Sequence, residues 1–238
     1  MVDVVLWSWV QLPRRIARSR RSMKRIVQPE LLDLLPPDDP RAQRSRRDLR
    51  RVNTLMRNPA ILSRALRNLA RDRPPHRLVE PGADGQFLLR VARALAPLWP
   101  ALKVTLLDQR ETVADTTLDE FAALGWRAQV LVCDGRNWAE SDHAAAEPEL
   151  AQLFRAGAAR APMFAAIEPR RGAWAFFCSQ LLWTFGCNRV TSHDAPVSVH
   201  AGFKGRELSM LWRQGDGWEL METNAGPFSH LFTARRKN

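Results

Sequence analysis

The chain has 238 residues, 45% of them hydrophobic, which is enough for one α/β domain with an appended segment. Its net charge of +11 would suit binding to nucleic acid. Residues 1–75, however, hold 18 of the 36 Lys and Arg and only 7 of the 25 Asp and Glu, so the positive excess belongs to them and the remainder is neutral. The three cysteines are scattered and no CxxC or HxxxH pair is present, which excludes a disulfide framework, predicts no metal site and favours a reduced cytoplasmic location.

The N-terminus begins with a short apolar run, MVDVVLWSWVQLP, followed by the basic segment RRIARSRRSMKR. The run is too short to span a bilayer, and its basic residues lie after it, which is the reverse of a signal peptide. One interpretation is a peripheral membrane anchor. The preferred one is an early start codon with the protein beginning at Met23, because nothing later in the sequence requires residues 1–22. These residues are therefore predicted to be a non-native or disordered extension.

Residues 23–73 are predicted to form a helical cap. A short helix in QPELLDLLPPDDP ends at a cluster of Pro and Asp. Residues 41–71 then predict a helical pair, with apolar side chains at helical spacing and arginines on the other faces. No aromatic residues interleave these arginines for base stacking, so a charged face over a substrate pocket is preferred to a nucleic-acid site.

Residues 74–238 are predicted to form the main domain. HRLVEPG, LKVTLLD and WRAQVLVCD predict three strands, separated by the helices QFLLRVARALAPLW and RETVADTTLDEFAALG. Short connections between such units imply parallel strands joined by right-handed crossovers. The fold class is therefore α/β, with a Rossmann-like, mostly parallel sheet.

The later part of the chain predicts a helix at 147–160, a strand at 163–169, the apolar helix WAFFCSQLLWTFG and a helix at 203–212. WELMETNA and SHLFTARR are close together in sequence, which indicates an antiparallel hairpin at the sheet edge. The apolar helix is predicted to pack in the core. As an alternative, it would form a lid over a flat aromatic or acyl acceptor.

Three successive predicted strands end in a carboxylate, at Glu80, Asp108 and Asp134. A parallel sheet brings the carboxyl ends of its strands to one edge, where ligands bind. There, Asp108 suits a ribose diol and Asp134 suits the exocyclic amine of an adenine. The alternatives are a helix N-cap at Asp108 and an Asx turn of Asp134 with Gly135.

The turn after the first of these strands, EPGADG, places Gly82 and Gly85 just before a helix N-terminus with free backbone donors. This turn differs from the GxGxxG of dinucleotide sites, and Glu80 would repel a pyrophosphate. The same carboxylate would attract the sulfonium and ammonium groups of S-adenosylmethionine. The sequence therefore predicts S-adenosylmethionine as the cofactor.

Over residues 45–236 the chain resembles the class I S-adenosylmethionine-dependent methyltransferases, in LVEPGADGQFLLRVA, VTLLD, VLVCD and the closing hairpin. RSRRDLRRVNTLMRN, EPRR, GCNRVTSHDAPVSVHAGFKGRELSMLW and FSHLFTARR further resemble a bacterial small-molecule subgroup that often occurs beside polyketide-type pathways. The resemblance implies that Glu80, Gly82 and Gly85 surround the methionine part of the cofactor, that Asp108 takes the ribose hydroxyls and that Asp134 adjoins the adenine. The predicted site also includes the adjacent Asp84, Gln109 and Gly135.

Two features depart from that family. The glycine turn is one residue shorter than the family's acid-x-G-x-G-x-G. The family's fourth strand would lie before the helix at 147–160, where NWAESDHAAAE stands instead. Because that strand neighbours the first at the sheet centre, its absence would expose the first strand or require a substitute.

The predicted function is methyl transfer from S-adenosylmethionine to a small-molecule acceptor. The alternatives are a catalytically impaired remnant of the fold and an RNA methyltransferase. The acceptor, the methylated atom and the oligomeric state are left open, and no transmembrane segment is predicted.

His193 is the candidate catalytic base, because it is predicted to lie in a loop with Asp194 beside it, and a carboxylate raises the pKa of a histidine and orients it. The alternative is a turn histidine with Asp194 capping the loop. Glu168 and Arg170, at the tip of the strand at 163–169, are the candidate substrate residues, with a surface ion pair as the alternative.

Overall fold

The computed structural model describes residues 2–8, 23–81, 84–108, 112–132 and 149–237. Within these ranges, one sheet contains seven strands: β1 Val4–Ser8, β2 Arg77–Pro81, β3 Lys103–Leu107, β4 Arg127–Leu131, β5 Met163–Pro169, β6 Trp218–Ala225 and β7 Ser229–Arg236. The helices are α1 Leu31–Leu34, α2 Pro40–Leu55, α3 Asn58–Leu69, α4 Gln86–Leu95, α5 Asp115–Ala123, α6 Glu149–Arg160, α7 Ala173–Gln180, α8 Arg189–Ala201 and α9 Glu207–Leu211, with a 3-10 helix at Leu182–Phe185.

The strand order across the sheet is β4-β3-β2-β1-β5-β7-β6. The first five strands in this order run parallel to one another, whereas β7 is antiparallel to both β5 and β6. This arrangement confirms the predicted Rossmann-like sheet with an antiparallel C-terminal hairpin.

The N-terminal strand β1 lies at the centre of the sheet, between β2 and β5. Val4 is in register with Leu78 on one side, and Ser8 is in register with Ile167 on the other. A strand that is covered on both faces has a continuous apolar sequence. This is true of β1, because Val4 to Trp7 are all apolar and buried. The prediction that nothing requires residues 1–22 is therefore wrong for this strand.

The place of the predicted missing strand is filled by β1. The sequence predicts a gap beside the strand that is now β2, and β1 occupies this position in parallel register. The segment in which the fourth strand was sought, before residue 149, lies outside the described residues. The substitute therefore comes from the N-terminal part of the sequence, more than a hundred residues before that segment.

Alternating side chains along the central strands supply two cores. One face carries Val4 and Leu6, which pack with leucines of α3 and α4 such as Leu66 and Leu88. The other face carries Val5 and Trp7 in a cluster with Phe154 of α6, Phe164 of β5 and Leu208 of α9. Burial on both faces fixes the register of β1, because a shift by one residue would exchange the two sets of side chains.

Several predicted helices differ in extent from those observed. The apolar helix is interrupted at Leu181, where α7 ends and the 3-10 helix begins. The loop predicted around His193 is instead part of α8, whose N-cap Asn188 accepts a hydrogen bond from the Thr191 N–H at 2.9 Å. The helix predicted at 203–212 is shorter, spanning Glu207–Leu211. Within the described ranges, no helix is both long enough and apolar enough to cross a membrane.

Candidate functional site

The carboxyl ends of the five parallel strands meet at one edge of the sheet. Glu80 of β2 is in register with Leu106 of β3, so Glu80 and Asp108 lie at neighbouring strand ends. Both residues are buried. The structure therefore places two of the three predicted acids as expected. Asp134 lies outside the described residues, as do Gly82, Gln109 and Gly135.

Gly85 lies in the turn between β2 and α4, at a position that strongly favours glycine. Its φ of +72° is in the left-handed region, which side chains with a Cβ rarely adopt. A Cβ at this position would also lie 2.8 Å from Leu106 Cδ1 and 3.2 Å from Thr117 Cγ2. The glycine thus lets the N-terminus of α4 approach β3 closely at the edge where the acids lie.

Asp84 connects this turn to α2. Its Oδ1 accepts a hydrogen bond from the Gln86 N–H at 3.1 Å, and its Oδ2 pairs with Nη1 of Arg50 at 3.0 Å. The first contact satisfies a backbone donor of the first turn of α4. The second offsets the negative charge of Asp84 and holds α2 against the glycine turn. No sequence motif indicated Arg50 as the partner of Asp84.

Asp108 closes the loop between β3 and α5. Its Oδ2 accepts hydrogen bonds from the Val113 N–H at 2.9 Å and from the Thr112 hydroxyl at 3.1 Å, and also from the Thr112 N–H. This resembles the predicted capping alternative, although α5 itself begins later, at Asp115. A carboxylate has about four acceptor sites on its two oxygens, so a loop-closing role and a ligand-binding role are compatible.

His193 lies in α8 with its side chain half exposed, and its Nδ1 is 2.8 Å from Oδ1 of Asp194. The two oxygens of Asp194 also accept hydrogen bonds from the N–H groups of Leu31 and Leu32, at 2.8 and 2.9 Å. The predicted pair is therefore present. Its carboxylate, however, also holds α1 onto α8.

Glu168, at the end of β5, is buried on the same face as Phe164 and Ala166. Burial raises the pKa of Glu168 to about 8, with Glu30 adding to the effect and Arg25 opposing it. Within the described part of the chain, Oε1 of Glu168 has no hydrogen-bond partner. A buried acid of this kind is able to carry a proton near neutral pH.

Arg25 belongs to the segment before α1 and lies close to Glu168 of β5. Its Nε donates to the Ala201 carbonyl oxygen at 2.7 Å, and its guanidinium carbon is 4.5 Å from the centroid of the Phe203 ring. Burial lowers the pKa of Arg25, while the charge of Glu168 opposes this. No sequence motif pointed to Arg25, because its partners lie more than a hundred residues away in the chain.

The two arginines after β5 have different environments. The Arg170 N–H donates to the Phe228 carbonyl oxygen, and its Nη1 is 3.4 Å from the Gly226 carbonyl oxygen. Arg171 is buried, donates to the carbonyl oxygens of Met23 and Gly202, and pairs with Glu207. These contacts join Arg170 to the β6–β7 turn, whereas the ion-pair alternative required a contact with Glu168.

His230 and Glu222 form a pair in which both side chains are buried, with His230 Nε2 2.8 Å from Glu222 Oε1. Burial opposes ionisation of Glu222, but hydrogen bonds from His230 and from the N–H groups of Ser209 and Leu208 hold its pKa below the ordinary value. This pair joins the C-terminal hairpin to α9. The described residues contain no group of His, Cys, Asp and Glu that could hold a metal ion.

No family model matches this chain, and no curated protein does. Solved structures do match. The plantazolicin methyltransferase BpumL, in complex with a pentazolic desmethylPZN analogue and SAH, has a TM-score of 0.53 and 10% identity over 84% of this chain and 92% of that chain. A possible exported protein from Bordetella parapertussis has a TM-score of 0.50 and 13% identity over 76% and 68% of the two chains. The O-methyltransferase TomG from Streptomyces achromogenes, in complex with SAM, has a TM-score of 0.43 and 14% identity over 74% and 80%. At these identities, the likeness to BpumL shows a shared fold.

Proposed function

We propose that this chain, which has the fold of the class I S-adenosylmethionine-dependent methyltransferases, transfers a methyl group from S-adenosylmethionine to a small-molecule acceptor. The observation that carries the proposal is the pair of buried carboxylates, Glu80 and Asp108, at adjacent parallel strand ends beside the Gly85 turn. The plantazolicin methyltransferase BpumL binds SAH and a pentazolic desmethylPZN analogue in its crystal structure, which supports a small-molecule acceptor here.

The residues at this edge fit the cofactor chemically. Anionic carboxylates in a poorly solvated place favour a sulfonium and an ammonium over a phosphate. Glu80, Gly82, Asp84 and Gly85 would surround the methionine part. In the same proposal Asp108 and Gln109 bind the ribose, and Asp134 and Gly135 adjoin the adenine.

S-adenosylmethionine supplies, when bound, a methyl group on a sulfonium that a nucleophile attacks in line. The contribution of this chain is to orient both partners and to exclude water. The Asp84–Arg50 pair holds α2 over the glycine turn, so the cofactor edge and the helical cap are joined on this side.

The acceptor side of the proposal contains His193, Glu168 and Arg170. His193 is the proposed base, because the imidazole is half exposed and Asp194 orients it. Glu168 is a second group able to exchange a proton near neutral pH, with Arg170 two residues beyond it. Oxygen acceptors need such a group when they react as anions.

The remnant alternative is less well supported because β1 fills the sheet centre. A scaffold without that strand would expose an edge of β2, whereas β2 has strand neighbours on both sides. The sheet next to the proposed acceptor site is therefore continuous from β3 through β2 and β1 to β5.

Binding of S-adenosylhomocysteine, measured by isothermal titration calorimetry, tests the proposal. We expect micromolar affinity, and a loss of about 1–3 kcal/mol or more in Asp108→Asn, which keeps one carbonyl acceptor for the loop but removes the charge. Asp115→Asn, at the exposed start of α5, is the matched control and should bind as the unchanged protein does. The absence of measurable heat with protein that is folded by circular dichroism would refute the proposal.

A further inference from the structure

The segment that links β5 to α8 exposes a group of aromatic side chains. Trp174 is 63% exposed, Phe177 52%, Trp183 65% and Phe185 74%, and every exposed Trp or Phe of the described residues belongs to this group. No charged residue lies between Gly172 and Asn188, a stretch that we name the aromatic segment. A group of exposed aromatic side chains in one uncharged stretch is typical of a surface that contacts a partner.

The inner side of the aromatic segment packs against the rest of the protein. Ala175 and Ser179 are buried, and the Ser179 hydroxyl donates to the Phe176 carbonyl oxygen at 2.7 Å. The Phe176 ring packs edge-on against the ring of His200 in α8, with 4.6 Å between the centroids. On the outer side, the rings of Trp174 and Phe177 lie 6.0 Å apart. The exposed rings thus project from an ordered support.

A stripe of arginines lies next to this segment. Arg44, Arg47 and Arg51 are exposed on α2 at spacings of three and four residues, which places them on one helix face. Asn188, at the end of the aromatic segment, donates from Nδ2 to the Arg41 carbonyl oxygen and from its N–H to Asp48, both at 2.8 Å. These bonds join the segment to the arginine-bearing helix.

We propose that the aromatic segment and the arginine stripe of α2 together form a docking surface for an anionic lipid bilayer. Trp and Phe side chains partition to the boundary of headgroups and acyl chains, and arginines pair with lipid phosphates. A second copy of the chain is the competing occupant, and the ultracentrifugation test below distinguishes it from the bilayer. The contact is peripheral and does not depend on the proposed methyl transfer.

Co-sedimentation with unilamellar vesicles tests this surface. The full chain should sediment with vesicles of equal parts phosphatidylcholine and phosphatidylglycerol, should not sediment with pure phosphatidylcholine, and should dissociate as salt is raised. Trp183→Ser with Phe185→Ser should weaken partitioning about tenfold or more. Arg44→Gln with Arg47→Gln and Arg51→Gln should weaken it on the order of 100-fold. Leu98→Ser, at an exposed leucine after α4, is the matched control and should have no effect.

Three results would overturn the proposal, each with protein that is folded by circular dichroism. One is no sedimentation with the anionic vesicles, and another is equal sedimentation with both vesicle types. The third is unchanged sedimentation of the two multiple variants. Analytical ultracentrifugation adds a fourth test without lipid: a dimer that the aromatic variant abolishes would show that a second copy covers the segment.

Discussion

The carboxylate of Asp3 accepts a hydrogen bond from the backbone N–H of His76, with Oδ2 2.6 Å from the nitrogen. The same oxygen accepts from the Arg77 N–H at 3.0 Å. These bonds join the start of β1 to the start of β2, two strands that are separated by the whole helical cap. The centre of the sheet is therefore built from contacts between parts of the chain that are distant in sequence.

Truncation of a β1 side chain should destabilise the whole domain. Leu6 is fully buried in the core shared with α3 and α4, so Leu6→Ala should lower the free energy of unfolding by about 2–5 kcal/mol. Urea unfolding followed by circular dichroism measures the change. Leu98→Ala, at an exposed site, should change it by less than about 0.5 kcal/mol. Equal stabilities of the two variants would contradict the central position of β1.

Alanine substitutions at Gly85 and Gly125 test how closely the glycine turn is packed, with Gly125 as the control. Both have a positive φ, but a Cβ at Gly125 would meet no atom within 4 Å, whereas one at Gly85 would lie 2.8 Å from Leu106. Gly125→Ala should therefore cost only the backbone strain of about 1–2 kcal/mol, and Gly85→Ala about 1–3 kcal/mol more. Thermal unfolding of the two variants checks the difference, and indistinguishable midpoints would show that α4 does not pack closely on β3.

Adjacent arginines after β5 should differ sharply in their effect on stability. Arg171→Leu removes the partner of Glu207 and leaves the carbonyl oxygens of Met23 and Gly202 without this donor. Arg171 is buried but Glu207 is partly exposed, so the loss should be about 2–4 kcal/mol, below the full cost of breaking a wholly buried ion pair. Arg170→Leu should cost less than about 1 kcal/mol, because its side-chain contact is long and exposed. Urea unfolding measures both, and a larger loss for Arg170→Leu would contradict the assignment.

The sequence predicted those parts of the fold that depend on local pattern. Strands β2 to β5 and the hairpin have apolar runs bounded by turns, and the glycine turn has its own conformational signature. The place of β1 was not predictable in this way, because a short apolar run does not identify its neighbours. Its partners, β2 and β5, are distant in the chain.

The same limit applies to the site. The strand-end positions of Glu80 and Asp108 followed from the alternation of strands and helices. The pairing of Asp84 with Arg50, and the capping of α1 by Asp194, required contacts between segments far apart in sequence. The adjacency of His193 and Asp194 in the sequence therefore indicated the contact between them. It did not indicate that the Asp194 carboxylate also caps α1.

Glu168 should make the protein less stable as the pH rises. Its pKa is raised to about 8 in the folded chain from an ordinary value of 4.5, so the folded state binds the proton that the unfolded state has already lost. Stability from this group is present below about pH 4.5 and is lost as the pH approaches about 8, by up to about 5 kcal/mol in total. Urea unfolding at a series of pH values should show this decline, and Glu168→Gln should remove it. Glu219→Gln, on the exposed side of β6, should retain it. A decline that persists in Glu168→Gln would assign the titration to another group.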